Sequence, residues 1–386
     1  MIGRDEDRGG RAATGPEDLG RVLDEADALP SLVPSQIGGR PCWQRTWADH
    51  HPSWSPWVVT VRSDDGRLQA MAALAHQRQG GVRRIVALGH TSTDAIGFPA
   101  TSTDAAHRLA DTVADHLLSL RGDWYLHLHQ LVADDPTGQR LTDRLGASTV
   151  PGWPCPTTRF HEGRDLAAYT SRNYRAQARH KWNRLVRAGT DPRVELATRP
   201  DEVAGWLEAI EPTWRRRDTE LGGRSRLDDP REAAFVRDLV MRHAAVGQVE
   251  VAVLVADGEV AAYSVSFLDR TAYRQWNKHH DSRWADYRPG QVLDARLLER
   301  VLADEAFDEF DWMAGDEPYK HRAATDVVDT VHVHAGRGLL ASARRWAPPV
   351  RARVRAEMRA RPGLEQAWTR AKVRGRRLGG AWRSTP

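Results

Sequence analysis

The order of secondary-structure elements predicted for the first half of the chain recurs in the second half. Apolar runs flank Asp65-Gly66 and again Asp257-Gly258, and an Asp-Gly pair between such runs is typical of a β-hairpin. After each hairpin the sequence predicts a third strand, a loop, a helix and a further strand. This repeat is too long for a solenoid, so it predicts a duplicated α/β lobe with helices on both faces of each sheet.

Five segments follow from this order. Residues 1–29 are polar, charged and rich in Gly and Ala, so we expect them to be disordered or partly helical. The two lobes are predicted at 30–150 and 161–336. The segment 151–160 is predicted to be a linker, because three prolines in six residues exclude a regular element. The Arg-rich tail, 337–386, is expected to be solvated, with contact to an anionic polymer or lipid as the alternative.

Composition limits the class of protein. The 386 residues include 40% hydrophobic residues and 15 Trp, which is enough for real cores. The two cysteines, Cys42 and Cys155, cannot form a disulfide framework and fit a reducing compartment. The N-terminus does not have the pattern of a signal peptide, and no run reaches the roughly 18 apolar residues of a membrane span. We therefore expect a soluble, cytoplasmic protein.

One stretch of the second half carries candidate chemistry. Pro289-Gly290 opens a predicted helix with apolar residues at helical spacing, and a predicted strand, 307–313, ends just before Gly315. Free backbone N–H groups at such a helix start, together with the helix dipole, suit a phosphate. The alternative is a plain turn, because Pro-Gly opens many helices that bind nothing.

This stretch resembles a known domain. Arg288-Pro-Gly-Gln-Val-Leu, followed by Phe310-Asp-Trp-Met-Ala-Gly-Asp-Glu-Pro-Tyr-Lys, resembles the CelD-like acetyltransferase domain of the GNAT superfamily of acyl-CoA-dependent N-acyltransferases. Ser171-Arg-Asn-Tyr-Arg resembles the start of that domain, and the resemblance covers about residues 41–333. It implies an α/β fold of two tandem GNAT-like lobes, each a mixed, mostly antiparallel sheet flanked by helices, as in the two-lobed Fem-type transferases.

The resemblance also implies a reaction and a donor site. Acetyl-CoA or another acyl-CoA would be the co-substrate, with no permanently bound cofactor, and would acylate an amine of a small molecule, sugar or peptide directly. The thioester would lie between the predicted strands 271–278 and 307–313 of the C-terminal lobe, and the N-terminal lobe would be a degenerate copy that shapes the acceptor cleft. The donor's pyrophosphate would be bound at the helix start by Arg288, Gly290, Gln291 and Val292.

Candidate catalytic residues follow the second of these strands. Glu317 is the first candidate for the general base, ahead of Asp316 and Asp311, and Tyr319 could protonate the leaving thiolate. The structural alternatives are an ion pair between Glu317 and a lysine or arginine of the same segment, and a packed Tyr319 ring.

Substrate contacts are predicted from cations and aromatic residues near the same strands. These candidates are Lys320, Arg322, Trp276 and Lys278. No metal site is predicted, because His127-x-His129 and His332-x-His334 have no carboxylate or Cys at ligand spacing. Core or surface histidines are the simpler interpretation of both pairs.

A run of cations without any acid marks residues 172–187. It contains Arg172, Arg175, Arg179, Lys181, Arg184 and Arg187. The simple interpretation is a solvated helix face, and the alternative is contact with tRNA or another polyanion, helped by the Arg-rich tail. Fem-type transferases use aminoacyl-tRNA as donor, so such a transferase is an alternative function. A catalytically inactive GNAT-like binding module in polysaccharide biosynthesis is the third.

Overall fold

A computed structural model of the protein describes residues 10–13, 16–29, 36–161, 163–221, 223–339 and 341. The expectations for residues 1–9 and for almost all of the Arg-rich tail fall outside the described residues. Within the expected N-terminal segment the structure has a strand, Gly10–Ala13, and a helix, Pro16–Asp27. No helix of the described ranges has the length and apolar character needed to cross a membrane.

The described part of the chain contains two sets of elements. The strands are β1 (Gly10–Ala13), β2 (Ser55–Arg62), β3 (Leu68–Gln79), β4 (Val82–Ala87), β5 (Trp124–Val132), β6 (Ser148–Pro151), β7 (Cys155–Arg159), β8 (Arg193–Ala197), β9 (Val249–Ala256), β10 (Glu259–Asp269), β11 (Ala272–His280), β12 (Glu309–Asp311), β13 (Asp326–Val328) and β14 (Thr330–Arg337). The α-helices are α1 (Pro16–Asp27), α2 (Pro41–His50), α3 (Thr103–Ser119), α4 (Pro136–Leu145), α5 (Leu166–Tyr169), α6 (Arg172–Arg187), α7 (Pro200–Glu220), α8 (Pro230–Ala245) and α9 (Pro289–Ala303).

Local capping signals set the ends of these helices. The Asp135 carboxylate accepts the backbone N–H of Gly138 at the start of α4, and Gly146 ends that helix in the left-handed conformation at φ 52°. Ser171 caps α6 in the same way by accepting the Tyr174 N–H. Side-chain oxygens satisfy N–H groups that a helix start cannot satisfy itself, so short polar residues fix these boundaries in the sequence.

The strands form two seven-stranded sheets. The first has the order β1-β2-β3-β4-β5-β14-β6 and the second β13-β7-β12-β11-β10-β9-β8. Neighbouring strands are antiparallel except β4 beside β5 and β11 beside β12, which are parallel. The predicted fold class is therefore confirmed: an α/β protein with two mixed, mostly antiparallel sheets flanked by helices.

Two strands join the sheet of the other half of the chain: one lies near the middle of the chain and one at the end of the described residues. β7 pairs with β12 and β13 in the second sheet, whereas β14 returns to the first sheet between β5 and β6. The predicted linker at 151–160 thus contains a strand. Its prolines are tolerated because they serve as acceptors: the carbonyl of Pro154 accepts the Gly315 N–H and that of Pro156 accepts the Trp312 N–H.

One hydrophobic core joins the two lobes. Helix α2 lies between them, and its residues pack in a single cluster with side chains from both sheets and from α8. The cluster includes Trp43, Trp47, Met71, Phe235 and Phe267. Separate cores fill the outer faces, where α3 covers the first sheet and α9 covers the second.

Candidate active site

A gap opens where the two parallel strands of the second sheet separate. Strands β11 and β12 are paired over only three residue pairs, the last being Arg274 with Asp311. Beyond that point β12 ends, while β11 continues to His280. On its other edge β11 has an extra residue, Trp276, between the residues paired with Val265 and Ser266. Such a β-bulge bends a strand and turns the following side chains to the other face, which widens the separation.

A buried ion network holds the closed end of the gap. The Arg274 guanidinium donates to the Asp269 carboxylate at 2.9 Å and to the Asp311 carboxylate at 2.5 Å. The second oxygen of Asp311 accepts the Met313 N–H at 2.7 Å, which fixes the chain as it leaves β12. Asp311, the third candidate base, is therefore ion-paired with Arg274.

Three side chains from different elements meet inside the gap. Lys278 of β11 donates to the Asp294 carboxylate of α9 at 2.7 Å, and its ammonium lies 3.8 Å from the centre of the Tyr319 ring. Burial lowers the pKa of Lys278 although Asp294 acts in the opposite direction. Burial also raises the pKa of Tyr319, whose hydroxyl has no hydrogen-bond partner in the described part of the chain. The structure thus brings Lys278 and Tyr319, two of the predicted site residues, into contact.

The loop after β12 is organised around the buried ammonium of Lys320. This group donates to the carbonyl oxygens of Met313 and Ala314 at 3.3 and 2.5 Å and pairs with the Glu317 carboxylate at 3.2 Å. Gly315 has φ 138°, and a Cβ there would collide with both charged groups, so only glycine fits. Glu317 is 54% exposed and holds a partner, which is the structural alternative predicted for it.

The remaining predicted site residues lie outside the gap. Asp316 is exposed and hydrogen-bonded to His321 at 2.9 Å, and Arg322 is exposed. Trp276 lies on the opposite face of β11, where its ring packs against Trp43 and Trp214 in the core shared by the lobes. Its position supports a packing role more directly than a substrate contact.

The start of α9 is accessible and partly unsatisfied. Arg288 precedes it in the left-handed conformation, and its carbonyl accepts the N–H groups of Gln291 and Val292. The N–H of Gly290 donates to no acceptor in the described ranges, and only His280 Nδ1, at 3.7 Å, would touch a Cβ at that glycine. The side-chain nitrogen of Gln291 is buried without a described partner. These donors and the open space beside Gly290 fit a phosphate group.

The helix start and the gap are close in space. Asp294, which holds Lys278, follows Gly290 by four residues, a little more than one helical turn, which is about 6 Å along the axis. Val292 does not face the same space, because it is buried and lines a groove between α6 and α9. The accessible start of α9 and the Asp294 carboxylate that binds Lys278 therefore lie on one side of that helix.

Helix α6 presents unpaired cations along its surface. In the described part of the chain none of its six lysine and arginine side chains has a carboxylate within 4.0 Å, although ion pairs are frequent elsewhere. Lys181 donates to the Asp286 carbonyl at 2.6 Å instead. Arg175, Arg179 and Trp182 line the groove between α6 and α9, which has a volume of about 340 Å³.

Sequence reasoning missed a cluster of five histidines in the N-terminal lobe. The two predicted pairs face each other on β5 and β14, and a fifth residue follows β4. The members are His90, His127, His129, His332 and His334. His127 stacks on His334 at 4.4 Å between ring centroids, and burial lowers the pKa of every member. Among the described residues, no group of three or more ligand side chains is arranged to hold a metal ion.

Sequence reasoning also missed a carboxylate that the N-terminal lobe brings to the β12 loop. Asp94 lies in the segment after β4, which a parallel bridge between Ile96 and Leu131 anchors on the first sheet. Its charged neighbours are Lys320, Asp311 and Arg226. Nothing in the local sequence marks this residue, because its environment comes from the other lobe.

Comparisons with known proteins agree with this architecture. Residues 172–321 match the family model described as Acetyltransferase (GNAT) domain. The crystal structure of FemX has a TM-score of 0.57 at 9% identity, over 84% of this chain and 96% of that one. A Bacteroides thetaiotaomicron protein of unknown function has a TM-score of 0.51 at 11% identity, over 82% and 97%.

A third similar structure is the C-terminal domain (DUF2156) of a candidate lysylphosphatidylglycerol synthetase from Agrobacterium fabrum. Its TM-score is 0.51 at 11% identity, over 86% of this chain and 97% of that domain. No curated protein matches the chain significantly. Residues 172–321 are therefore similar to a GNAT acetyltransferase domain, and the likenesses to whole structures show a shared fold.

Proposed function

We propose that the protein is an N-acyltransferase whose C-terminal lobe transfers an acyl group from acetyl-CoA or another acyl-CoA to an amine. The acceptor would belong to a small molecule, a sugar or a peptide. The observation that carries this proposal is the separation of β11 from β12 beside an accessible helix start. That arrangement offers one site for a diphosphate at the helix start and another for a thioester in the gap.

The chemistry of this arrangement is direct transfer. The unsatisfied donors near Gly290, with the exposed guanidinium of Arg288, would bind the donor's phosphates. The thioester would lie in the gap, where the free Tyr319 hydroxyl can donate a proton to the departing thiolate. Lys320, Lys278 and Arg322 would add positive charge around an anionic donor or acceptor, with the first two held in place by protein partners.

The base that accepts the amine's proton is less directly indicated. Glu317 and Asp316, the candidates from sequence, are both exposed, and each holds a partner, Lys320 and His321 respectively. Either would have to release that partner before accepting a proton. They remain candidates for this step.

Within the GNAT superfamily we assign the chain to the CelD-like group on its Gly315-Asp-Glu-Pro-Tyr-Lys motif. The structure explains why each half of the motif matters to the loop. Gly315 provides the positive φ, and Lys320 ties the loop to the end of β12. The N-terminal lobe, with histidines at the corresponding separation of β4 and β5, would not hold a second thioester in the same way.

A specific observation favours a second candidate, an aminoacyl-tRNA-dependent transferase. The cations of α6 have no carboxylate partners among the described residues, and the groove beside them leads to the start of α9. Cations that are not neutralised by carboxylates suit the phosphate backbone of RNA, and binding would then weaken steeply with salt. Fem-type transferases, which the two-lobed chain resembles, use this donor.

A donor screen by thermal shift separates the candidates. Stabilisation by acetyl-CoA, unaffected by reversing the charge of Arg172 and Arg179, supports the acyl-CoA proposal. Salt-sensitive binding of charged tRNA that these two reversals abolish, but reversal of Arg231 and Arg237 on α8 does not, supports the second candidate. Binding of neither donor points to an inactive binding module and contradicts both.

A further inference from the structure

Lys278 is a largely buried cation in the gap between β11 and β12. It follows Arg274, the last residue of β11 that pairs with β12, by four residues, so it lies where the two strands have separated. Its side chain is 13% exposed, and its ammonium lies 3.8 Å from the centre of the Tyr319 ring. Burying an ammonium is costly unless partners compensate, so the partners of Lys278 indicate what it does.

The β-bulge at Trp276 sets the direction of the Lys278 side chain. Gln275 and Lys278 are three residues apart, so in a regular strand they would point to opposite faces of the sheet. With the bulge, both donate to the same carboxylate: Gln275 Nε2 to Asp294 Oδ1 at 3.0 Å, and Lys278 Nζ to Asp294 Oδ2 at 2.7 Å. Asp294 therefore has a partner on each oxygen and fixes the ammonium beside Tyr319.

The Lys278 ammonium has more donors than its protein partner accepts. A lysine side chain has three N–H groups, and Asp294 is the one hydrogen-bond acceptor that Lys278 has in the described part of the chain. Lys320 differs, because two carbonyl oxygens and the Glu317 carboxylate surround its three N–H groups. Of these two buried lysines, Lys278 is therefore the one with N–H groups left for a ligand.

From this geometry we propose that Lys278 is a catalytic residue: it donates a hydrogen bond to the thioester carbonyl oxygen and stabilises the negative charge that develops there. The inference rests on the proposed function, since it assigns a role at the same site. The oxygen and sulfur of a thioester are bonded to one carbon, so two side chains in contact can serve both atoms, Lys278 the oxygen and Tyr319 the sulfur. A fixed cation is most effective in such a buried place, because charges interact more strongly where water is excluded.

The step balances as the aminolysis of a thioester. The nitrogen of a neutral amine forms a bond to the carbonyl carbon, and the π electrons of the C=O bond move to the oxygen, which accepts the hydrogen bond from Lys278. When this intermediate collapses, the C=O bond is restored and the carbon–sulfur bond breaks, with its electrons on sulfur. Tyr319 protonates the thiolate, the nitrogen releases one proton to solvent, and the tyrosinate takes one back. Lys278 loses no proton, and the products are the amide and free CoA.

The structural alternative is that the Lys278–Asp294 pair only ties β11 to α9. Two variants separate the roles. Asp294→Asn breaks the ion pair but keeps the ammonium, whereas Lys278→Met combined with Asp294→Asn removes both charges, so that no unpaired charge stays buried. A purely structural pair predicts the same effect for both variants. The catalytic role predicts that the thioester is affected mainly in the double variant.

Infrared spectroscopy of bound acetyl-CoA tests the hydrogen bond without turnover. Labelling the acetyl carbonyl with ¹³C isolates its stretching band in an isotope difference spectrum. A hydrogen bond to the oxygen weakens the C=O bond, so we expect a lower frequency in wild type and in Asp294→Asn than in the double variant. The same frequency in wild type and in the double variant would overturn the proposal. Failure of the wild-type protein to bind acetyl-CoA would instead count against the proposed function.

Turnover gives a second, independent measurement. Release of CoA from acetyl-CoA would be followed with ethanolamine, glucosamine and glycylglycine as probe amines. We expect the double variant to lose about 100-fold in kcat with little change in the KM for acetyl-CoA, because the interaction strengthens as charge develops on the oxygen. Lys278→Arg, which keeps a charged donor, should retain more of kcat than the double variant. A loss confined to KM would assign Lys278 to donor binding and contradict the catalytic role.

The matched control is another ion pair between α9 and the same sheet. Arg300 of α9 pairs with Glu250 of β9 at 2.6 Å, and β10 separates β9 from β11. Arg300→Met with Glu250→Gln should lower the free energy of unfolding but leave the infrared band and kcat as in wild type. If this control shifts the band as far as the Lys278 double variant does, the shift comes from the packing of α9 and the proposal is wrong.

Discussion

At the scale of single residues, the gap in the second sheet is lined by charges that the fold has already paired. Lys278 is held by Asp294, and Lys320 by two carbonyls and Glu317. Such groups shape a site, whereas groups without partners are the ones that a ligand would satisfy. Among the described residues around the gap, the groups without a hydrogen-bond partner are the Gly290 N–H, the Gln291 amide nitrogen and the Tyr319 hydroxyl.

Gly290 allows donor binding and stability to be separated in one substitution. Its φ is not in the left-handed region and its Cβ position is open, so Gly290→Ala should fold normally. We expect the free energy of unfolding to be unchanged or raised by up to about 1 kcal/mol, because Ala favours the helix. The same methyl group would occupy the phosphate site, so the Kd for acetyl-CoA should rise roughly tenfold, a loss of about 1.4 kcal/mol.

The matched control for this prediction is Gly205→Ala in the exposed middle of α7, where a Cβ would also meet nothing. It should raise stability similarly, by urea unfolding, and leave acetyl-CoA binding by calorimetry unchanged. If both variants bind the donor equally well, the start of α9 does not bind its phosphates.

At the scale of elements, local sequence patterns predict the ends of several helices well, but they say little about which strands pair. Asp135-Pro136 and Asp229-Pro230 are strong helix-start signals, and the sequence predicts helices at 136–145 and 230–245. Helices α4 and α8 have these boundaries. Strand β7 was predicted to be a linker, since its prolines mask a pairing that depends on β12 and β13. Exchange of β7 and β14 between sheets depends on contacts far apart in sequence, which local patterns do not encode.

The candidate site shows the same division. The Pro289-Gly290 turn and the segment 316–322 can be proposed as site segments from sequence, because each is a local motif. The ion pair of Asp294 with Lys278 could not be predicted, because its two members lie on different elements. In the sequence, Asp294 is an ordinary polar position of a predicted helix. The β-bulge in β11 places Lys278 next to it.

The facing strands β5 and β14 carry the histidine cluster, which should make the protein sensitive to acid. The folded-state pKa is lowered to about 4 for His129 and His334, below the ordinary value near 6.5. The unfolded chain therefore binds more protons than the folded protein at acidic pH. The contribution of these histidines to the free energy of unfolding is fully present above about pH 6.5. It is lost as the pH falls towards their pKa in the folded protein. Each histidine contributes roughly 1 to 2 kcal/mol of this loss between pH 7 and 5.

Removing two members should flatten this dependence. Among the described residues, the imidazoles of His90 and His127 form no side-chain hydrogen bond that substitution would break. In the double variant His90→Gln with His127→Gln, urea unfolding at pH 7, 6 and 5 should therefore show a shallower decline of stability than in wild type. The control is His107→Gln with His180→Gln, two exposed histidines on α3 and α6. An unchanged slope in the first double variant would show that the cluster does not control acid stability.

At the scale of the whole molecule, the two lobes are bound together more tightly than a tandem repeat requires. Each sheet contains a strand from the other half of the chain, and one core includes side chains of both. Strand pairing and this shared core therefore fix the position of one lobe relative to the other.

This arrangement predicts a single cooperative unfolding transition, in which a destabilising substitution in one lobe also destabilises the other. Met71→Ala empties a fully buried position on β3 of the first sheet and should cost about 2 to 5 kcal/mol. Because Met71 shares its core with β9 and β10, amide exchange in those strands of the second sheet should accelerate as much as exchange in β2. Val251→Ala on β9 should produce the reciprocal effect in the first sheet. If Met71→Ala instead splits urea unfolding into two phases, with β9 protected through the first, the two lobes are independent domains.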